Sequence, residues 1–368
     1  MKILHLGKFY PIYGGVEKVM YDLTCGLSER GVHTDMMCVA QDAGPFRRQL
    51  NPYGQLIGCR SWGKLCATMI SPGLVATLKR ECGKYDIIHV HHPDPMAAVA
   101  LWLSGYKGRV ILHWHSDILK QKFILHFYKP LQRWLINRAE TIICTTPAYQ
   151  QGSQFLKDVQ EKCRVLPIGI EPFNAPPEQT VEGIRAAYGE RKIIFSLGRL
   201  VGYKGFQYLV ESARHLPDDY VVVIGGTGPL RRDLEALIER WDLHNKVKLI
   251  GFVADDDLPA YYAACDLFCL SSVQKTEAFG IVQIEAMAFG KPVVATKIPE
   301  SGVSWVNAHG ESGINVEPED SKALAEAFLQ ILSDPEAYRN FSLRAYQRYL
   351  NLFTKERMIN TCLGIYGG

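Results

Sequence analysis

The strongest constraint on the fold is a pattern of short apolar runs alternating with helical segments, which occurs twice along the chain. The first series predicts strands at Ile3–Leu6, Thr34–Val39, Ile87–Val90, Val110–His113 and Thr141–Cys144. The second predicts strands at Ile193–Leu197, Tyr220–Ile224, Val247–Ile250, Leu267–Leu270 and Pro292–Ala295. Strands separated by helices favour βαβ units, so each series predicts a doubly wound α/β domain on a parallel sheet.

A proline-rich stretch separates the two series. Residues 171–178 read Glu-Pro-Phe-Asn-Ala-Pro-Pro-Glu and have little apolar periodicity, which is typical of a linker. We expect an N-terminal domain over 1–170, a linker over 171–190 and a C-terminal domain over 191–345. The segment 346–368 has a helical pattern, and we expect a C-terminal helix that can cross back to the N-terminal domain. The length of 368 residues is sufficient for two hydrophobic cores.

The net charge of +3 hides an asymmetry between the halves of the chain. Residues 1–170 carry 21 Lys and Arg against 12 Asp and Glu, or +9, and residues 171–368 carry 20 against 26, or −6. The basic half suggests an anionic partner, with a membrane surface or nucleic acid as candidates and an incidental surface bias as the alternative. The acidic second half argues against a nucleic-acid binder.

Neither the apolar runs nor the cysteines indicate a membrane span or a disulfide scaffold. The longest apolar run, Met96–Leu103, is far shorter than the roughly 20 residues that a spanning helix needs. The ten cysteines contain no Cys-x-x-Cys pair, and we expect reduced thiols. A cytoplasmic protein is therefore the default expectation.

Two glycine-containing turns follow predicted strands and open helices, where backbone amides can receive an anion. The first, Gly14-Gly15-Val16-Glu17, has neither the Gly-x-Gly-x-x-Gly spacing nor the ending of a P-loop, and a plain tight turn is an equal alternative. The second, Gly225-Gly226-Thr227-Gly228-Pro229, precedes a helix expected to begin at Pro229. We predict that the second turn binds phosphate.

Charged residues follow two other predicted strands. Arg199 and Lys204 lie five positions apart after one strand, at the edge where parallel sheets bind ligands. Two fixed cations suit a diphosphate that gains charge as it departs, and solvated surface cations are the alternative. Glu277 and Glu285 flank Gly280, which is expected to start a helix, and carboxylates accept hydrogen bonds from vicinal hydroxyls. A solvated glutamate and a core-facing helix are the alternative here.

Together these motifs resemble those of the retaining glycosyltransferases of family 4. The matching elements occur in the family's order: Gly198-Arg199-Leu200 with Lys204, the Gly225–Pro229 turn, Glu277 with Glu285, and Gly313–Asp320. Gly14–Glu17 and Asp86–His92 are also similar to the family. The resemblance covers nearly the whole chain. It implies a GT-B fold, in which two Rossmann-like domains face a cleft and the second holds most of the donor.

The resemblance implies a role for each matching residue of the second domain. Arg199 and Lys204 would bind the donor diphosphate, Glu285 the ribose, and Glu277 the hydroxyls of the donor sugar. The remaining donor-binding positions are Gly226 and Thr227 in the glycine turn and the backbone of Phe279, Gly280, Ile281 and Val282.

In the first domain the resemblance singles out His115 and Gly15. His115 falls where the family has a histidine near the donor sugar, with His113 as a competing register. Ser116 separates His115 from Asp117, a departure from the family's commoner adjacent His-Asp. Gly15 would let the first loop approach the diphosphate and the acceptor.

The implied reaction is retaining transfer of a hexose from a nucleotide-diphosphate sugar to a hydroxyl of a lipid-linked or cell-envelope glycan, of the O-antigen or lipopolysaccharide kind. Mannose with GDP is preferred over glucose with UDP, and same-face attack and a covalent intermediate both fit. A sugar-nucleotide-binding protein without transferase activity and a GT-B epimerase are the alternatives.

We expect no metal cofactor, because Arg199, Lys204 and helix N-termini can offset the charge of the leaving group. Residues Asp255-Asp256-Asp257 contain the Asp-x-Asp pattern of metal-dependent transferases. However, they fall between a strand and a helix, where acidic residues cap the helix and complement its dipole.

The segment 119–138 is a candidate membrane-surface helix. It contains five Lys and Arg, four aromatic residues and no carboxylate. A basic amphipathic helix can rest among anionic headgroups, although packing of its apolar face on the protein's own sheet is equally compatible with the pattern. Pro130 predicts a kink or two helices. We expect peripheral association with the cytoplasmic face of an inner membrane.

Overall fold

The computed structural model describes residues 1–12, 14–41, 44–65, 68–118 and 122–367, without the side chains of 122–127. The chain forms two compact units. The first consists of Met1–Gly169 together with Lys355–Gly368, and the second of Ile170–Thr354. The final helix therefore belongs to the same unit as the first strand.

In the described residues, the first unit is an eight-stranded sheet with a short hairpin and six helices. Its strands are β1 (Lys2–Tyr10), β2 (His33–Ala40), β3 (Phe46–Asn51), β4 (Gly54–Arg60), β5 (Gly63–Leu65), β6 (Thr68–Ile70), β7 (Ile87–His92), β8 (Arg109–Trp114), β9 (Thr141–Cys144) and β10 (Cys163–Val165). Its helices are α1 (Gly15–Glu29), α2 (Pro72–Glu81), α3 (Pro95–Ser104), α4 (Lys122–Arg138), α5 (Pro147–Gly152) and, at the end of the chain, α14 (Lys355–Gly367).

The second unit, all of which is described, is a six-stranded sheet with eight helices. Its strands are β11 (Lys192–Leu197), β12 (Tyr220–Gly225), β13 (Val247–Gly251), β14 (Leu267–Leu270), β15 (Val293–Thr296) and β16 (Gly313–Val316). Its helices are α6 (Glu178–Tyr188), α7 (Phe206–Ser212), α8 (Arg231–Arg240), α9 (Leu258–Ala264), α10 (Ile281–Ala288), α11 (Val303–Val306), α12 (Ser321–Leu332) and α13 (Pro335–Leu352).

The strand order of each sheet confirms the predicted doubly wound α/β class. The first sheet runs β10-β9-β8-β7-β1-β2-β4-β3, and among these strands only β3 is antiparallel to its neighbour. The second runs β13-β12-β11-β14-β15-β16 and all its pairings are parallel. In such sheets the ligand crevice lies beyond the carboxyl ends of the strands where the order reverses. These strands are β1 and β7 in the first unit and β11 and β14 in the second.

Helix α14 packs on the first unit through a notch in α1. A side chain at Gly26 would place its Cβ 1.9 Å from Ile359 Cδ1, so the Ile359 side chain fills the space that the missing side chain of Gly26 leaves. Met358, Ile359, Cys362 and Tyr366 are buried on the packed side of α14. The segment expected as one helix over 346–368 is thus the end of α13 followed by α14.

The structure differs from the expected linker over 171–190, because α6 occupies residues 178–188 of it. None of the α6 residues is buried, but Val181, Ile184 and Tyr188 are half-buried at helical spacing. The proline-rich residues before them explain the interpretation of the whole stretch as a linker. Strands β3, β4, β5, β6, β10 and β16 are also absent from the expected set. β4 has a glycine at each of two positions and β16 is only four residues long, which weakens the strand signal in both.

Candidate functional site

The loops after β11 and β14 meet at the point where the strand order of the second sheet reverses. Ser271 Oγ donates a hydrogen bond to the Lys204 carbonyl oxygen at 3.0 Å, and the Val273 amide donates to the Tyr203 carbonyl oxygen at 2.8 Å. A Cβ at Gly205, whose φ is +65°, would lie 2.1 Å from the Ser271 carbonyl oxygen. The close contact of the two loops therefore requires glycine at this position.

This contact brings two of the predicted site residues together. Lys204 Nζ donates to Glu277 Oε2 at 2.6 Å, and the two side chains are only 12% and 13% exposed. Ser272 Oγ donates to the same carboxylate oxygen at 3.2 Å. An ion pair that is this well shielded from water is screened far less than a surface pair. The ammonium group is therefore held in a fixed position at the carboxyl edge of the sheet.

Arg199 lies on the same loop as Lys204 and is exposed. Its guanidinium makes no hydrogen bond or ion pair with the described residues. The neighbouring backbone is ordered, since the Leu200 amide donates to the Thr227 carbonyl oxygen at 2.9 Å and the Gly198 amide to the Gly225 carbonyl oxygen at 3.0 Å. Arg199 thus offers five N–H donors to a ligand from a fixed loop.

The glycine turn after β12 packs directly on the Arg199 loop. Gly226 has φ +132°, and a Cβ there would lie 1.9 Å from the Gly198 carbonyl oxygen. A Cβ at Gly228 would lie 2.5 Å from the Leu200 carbonyl oxygen. The packing of the two loops alone therefore explains why glycine is needed at both positions. Thr227, between them, is exposed. The following helix begins at Arg231, two residues beyond the expected Pro229, and its N-cap, Leu230, is bonded by its amide to the Leu200 carbonyl oxygen.

We predict that Gly226→Ala lowers the free energy of unfolding of the second unit by about 2 to 4 kcal/mol, because strain at positive φ adds to the clash with the Gly198 carbonyl. Urea unfolding followed by hydrogen exchange at the β11 and β12 amides measures this change. The matched control is Gly183→Ala in α6, where a Cβ would meet no described atom within 4 Å. The free energy of unfolding of that variant should rise by about 0.5 to 1 kcal/mol, because alanine is favoured over glycine inside a helix. Equal effects at the two glycines would contradict the packing argument.

The carboxylate of Glu285 is positioned by a tyrosine that the motifs do not identify. Tyr262, in α9, donates its hydroxyl to Glu285 Oε2 at 2.7 Å. Burial raises the pKa of Glu285, whereas the bond from Tyr262 and the charge of Lys204 act in the opposite direction and Asp255 adds to the rise. Burial also raises the pKa of Tyr262 well above its ordinary value, so the hydroxyl keeps its proton. The effect of Lys204 on this pKa places Glu285 within electrostatic range of the ammonium group.

Helix α10 begins beside these groups. Its N-cap is Gly280, with φ +76°, and a Cβ there would lie 2.6 Å from Leu270 Cδ2. The Phe279 side chain is buried and meets Phe353 edge-on at 5.9 Å, while Ile281 and Val282 are half-buried. Their side chains serve packing, so the backbone amides of the first helical turn remain as the groups that can bind an anion.

The predicted histidine of the first unit, His115, follows β8 and is buried. Its Nε2 is 3.0 Å from His91 Nδ1, and its Nδ1 has no partner among the described residues. Burial, followed by neighbouring imidazoles and the Lys8 ammonium, lowers the pKa of His115 well below its ordinary value. The competing candidate His113 stacks on it at 3.9 Å. Burial likewise lowers the pKa of His113, to about 3, so both environments favour the neutral imidazole.

A charged cluster that the motifs miss lies where the strand order of the first sheet reverses. Lys8, which follows the β1 residues of the core, has φ +59°, an unusual value for a residue with a side chain. Its backbone amide donates to Asp94 Oδ2, and its Nζ donates to the Pro93 carbonyl oxygen at 2.7 Å. Burial lowers the pKa of Lys8, and the charges of Asp94 and Glu17 oppose that effect. Lys8 thus places its amine at the carboxyl edge of this sheet, beside the Asp94 carboxylate.

Gly15 is the first residue of α1, with φ +58°, and is exposed. The preceding Gly14 has φ +128°, and a Cβ at that position would meet no described atom within 4 Å. Backbone conformation therefore favours glycine at this turn without any steric contact. This finding is compatible with both the anion-binding turn and the plain tight turn.

Part of the expected membrane-surface stretch lies outside the described residues, namely 119–121 and the side chains of 122–127. The backbone continues as the single helix α4 through Pro130. In the described part Tyr128 and Leu135 are buried, and Lys129 and Arg133 are exposed. The apolar side thus packs on the protein while cations face outward. No helix in the described part of the chain is long and apolar enough to cross a membrane.

The aspartates at 255–257 are exposed and precede α9. Asp257 is the N-cap of that helix but makes no side-chain capping bond. Of the two expected effects of these aspartates, capping is therefore absent at Asp257 and the interaction of the carboxylates with the helix dipole remains. Within the described residues, the clusters with metal-ligand geometry are formed by buried histidines of the first unit and do not include these aspartates.

Comparison with known proteins identifies two family models and full-length relatives. The model for Glycosyltransferase Family 4 matches residues 13–172, and the model for Glycosyl transferases group 1 matches residues 179–348. The chain is 30% identical over 373 aligned residues to the O-antigen chain mannosyltransferase C of Escherichia coli, covering 100% of this chain and 98% of that protein. It is 29% identical to the D-rhamnosyltransferase WbpZ of Pseudomonas aeruginosa, covering 96% and 92%.

Solved structures share the fold at lower sequence identity. The structure of Anabaena Alr3699/HepE in complex with UDP matches with a TM-score of 0.80 at 21% identity and covers both chains completely. A sucrose-phosphate synthase from Thermosynechococcus elongatus matches with a TM-score of 0.80 at 22% identity, covering 100% of this chain and 98% of that one. These matches confirm the expected two-unit Rossmann-like fold.

Proposed function

Since this chain belongs to the GT-B glycosyltransferases, with a family 4 first half and a group 1 second half, we propose that it is a retaining hexosyltransferase. It transfers mannose from GDP-mannose to a hydroxyl of a lipid-linked or cell-envelope glycan. The observation that carries the proposal is the shielded pair of Lys204 and Glu277 at the switch point of the second sheet. The name of the Escherichia coli relative supports mannose as the sugar and O-antigen as the class of acceptor.

In this proposal each charged group of the second unit has a separate task. Arg199 and Lys204 bind the diphosphate, and the amides at the start of α10 add partial positive charge as the leaving group becomes more negative. Glu277 accepts hydrogen bonds from hydroxyls of the sugar, and Glu285, already bonded to Tyr262, accepts those of the ribose. These side chains and amides offset the charge of the departing diphosphate without a metal ion.

The first unit contributes His115 in the same proposal. A neutral imidazole near the transferred sugar can hydrogen-bond one of its hydroxyls without placing a positive charge beside the oxocarbenium-like centre. Burial keeps the pKa of His115 low, which supports this neutral role.

Nucleotide binding and transfer test the function separately. Thermal unfolding of the full chain is measured with GDP, UDP, GDP-mannose and UDP-glucose, since a ligand at 100 times its Kd stabilises the folded state by about 2.7 kcal/mol. We expect GDP and GDP-mannose to stabilise most. Transfer to a lipid-linked glycan should proceed in EDTA and yield a product whose anomeric configuration by NMR equals that of the donor. Binding without transfer would favour the sugar-nucleotide-binding alternative, and inversion or a requirement for magnesium would contradict the mechanism.

We also propose that the outward cations of α4 hold the enzyme on an anionic membrane surface where a lipid-linked acceptor resides. We expect the protein to float with phosphatidylglycerol-containing vesicles. Lys129→Glu/Arg133→Glu should weaken this binding by about 30-fold or more, at about 1 kcal/mol for each cation near the surface. Arg232→Glu/Lys322→Glu, on exposed positions of the second unit, is the matched control. Equal flotation of both double variants would refute a specific role of α4.

A further inference from the structure

Five buried histidines share one face of the first sheet. His5 lies on β1, His89 and His91 on β7, His113 on β8, and His115 directly after β8. Alternate residues of a strand point to the same face, and the register pairs His5 with His89 and His91 with His113. Tyr366 of α14 lies against this imidazole layer, with its ring edge-on to His89 at 5.7 Å. Burial of so many polar groups lowers the stability of the fold unless they form hydrogen bonds with one another.

Four of these groups and Tyr366 form a continuous hydrogen-bonded series. His115 Nε2 is 3.0 Å from His91 Nδ1, and His91 Nε2 is 2.8 Å from His5 Nδ1. His5 Nε2 is 3.4 Å from the Tyr366 hydroxyl, which is 2.5 Å from His89 Nδ1. Each of the three middle groups bonds to both of its neighbours. The series thus extends from the final helix to His115.

Hydrogen bonding explains this geometry better than a bound metal does, although His5, His89 and His91, and also His91, His113 and His115, could each surround an ion. Nitrogens that share a tetrahedral zinc at about 2.0 to 2.1 Å lie roughly 3.3 Å apart. The observed separations of 2.8 and 3.0 Å are those of hydrogen bonds. The His89 and His91 rings are also nearly parallel, at 10°, rather than turned toward a common point.

A neutral imidazole has one donor and one acceptor nitrogen, so all hydrogen bonds of the series are donated in the same direction along it. That direction is either toward His89 or toward His115. Burial lowers the pKa of His5 to about 3 and that of His91 well below its ordinary value, which supports neutral rings. The Tyr366 hydroxyl lies much closer to His89 than to His5, and a phenol is a stronger donor than an imidazole N–H. Its hydrogen is therefore directed to His89 Nδ1, and its oxygen accepts from His5 Nε2.

The direction of the Tyr366 bonds determines donor and acceptor in every other bond of the series, up to His115. His5 Nδ1 then accepts from His91 Nε2, and His91 Nδ1 accepts from His115 Nε2. His115 is left with an unprotonated Nδ1, a buried atom that has no partner among the described residues and that a hydroxyl would have to reach from the loop edge of the sheet. A lone pair at that atom can accept a hydrogen bond from a hydroxyl, whereas the opposite direction would present an N–H.

We propose that Tyr366, His5 and His91 are positioning residues that fix His115 in its Nε2–H tautomer, so that Nδ1 accepts a hydrogen bond from a hydroxyl of the transferred sugar. The catalytic part of this inference rests on the proposed function, in which His115 contacts the donor sugar. The tautomer itself does not depend on that function. The Cys362 thiol, one turn before Tyr366, also hydrogen-bonds with the hydroxyl, and its weak S–H donor can bond to the phenol oxygen while the phenol hydrogen is directed to His89.

The test combines a spectroscopic signature with kinetics on the full chain. Long-range ¹H–¹⁵N correlation spectra of ¹⁵N-histidine-labelled protein distinguish the two neutral tautomers. We expect wild-type His115 as Nε2–H and a mixture of tautomers in Tyr366→Phe. We expect kcat to fall about tenfold, as for loss of one hydrogen bond of typical strength, with unchanged affinity for GDP. Tyr106→Phe is the control, because its buried hydroxyl bonds to the Tyr85 carbonyl oxygen at 3.0 Å outside the series.

The outcomes of this test separate the relay, by which we mean the hydrogen-bonded series from Tyr366 to His115, from the proposed function. An Nδ1–H tautomer of wild-type His115 overturns the relay, and this measurement needs no variant. The relay is also overturned if Tyr366→Phe has the same spectrum and kcat as Tyr106→Phe. It is likewise overturned if the purified protein contains stoichiometric zinc that is lost in His91→Ala. A tautomer change in a protein that transfers no sugar would support the relay while refuting the function.

Discussion

Lys204→Ala is expected to lower sugar transfer by about 10² to 10³-fold, comparable to the loss of one preorganised donor to a developing negative charge. The reason is the position of the ammonium, which the structure fixes against Glu277 at 2.6 Å and shields from solvent. Initial rates with GDP-mannose and a glycan acceptor measure the effect. Asp256→Ala, which removes an exposed carboxylate, should retain nearly full activity.

A second variant separates this catalytic loss from instability. Lys204→Ala alone leaves the Glu277 carboxylate shielded and unpaired, and breaking such a pair destabilises the fold. Lys204→Met/Glu277→Gln removes both charges and should recover much of the lost stability, because no unpaired charge remains. Its transfer activity should stay low. Recovery of activity together with stability would remove Lys204 from the site.

Glu285→Ala is expected to weaken donor binding by roughly 10 to 100-fold, as for hydrogen bonds to a charged acceptor. Affinity for GDP, measured by calorimetry, is the direct test because the ribose belongs to the nucleotide. Affinity for free mannose should not change. An unchanged Kd for GDP would mean that Glu285 acts only in packing.

The pKa of Glu285 gives this site a testable pH dependence. Burial raises that pKa, and the hydrogen bond from Tyr262 counteracts the rise by stabilising the ionised form. Tyr262→Phe should therefore raise the pKa further, and the ionised acceptor would be lost at a higher pH than in the wild type. We expect the acidic limb of kcat/KM to move to higher pH, and an unmoved limb would contradict the role of the ionised carboxylate.

The sequence was sufficient for the parts of the fold that depend on local pattern. Buried parallel strands such as β9, β12 and β14 are nearly continuous apolar runs, and their positions follow from that property. The sequence also indicated that Lys204 and Glu277 each follow a strand of the second sheet, but their contact depends on the adjacency of β11 and β14, which only the structure shows. The catalytic roles of these residues remain predictions.

Other features depend on partners that are distant in sequence and have no local signature. Tyr262 approaches Glu285 only because α9 and α10 flank neighbouring strands, and Tyr366 meets His89 across 277 positions. Lys8 and Asp94 are brought together by the pairing of β1 with β7. The alternation of His89 and His91, and of His113 and His115, was visible in the sequence, but only the sheet register shows that they form one layer.

The return of α14 to the first unit has a consequence for biosynthesis. The second unit, Ile170–Thr354, is contiguous, whereas the first is completed by residues that are synthesised after the second unit. Until α14 is released, the histidine face and the notch at Gly26 lack the helix that packs on them. The first unit therefore reaches its final form only after the whole second unit has been synthesised. A fragment cut at residue 169 would lack the tyrosine that closes the hydrogen-bonded series.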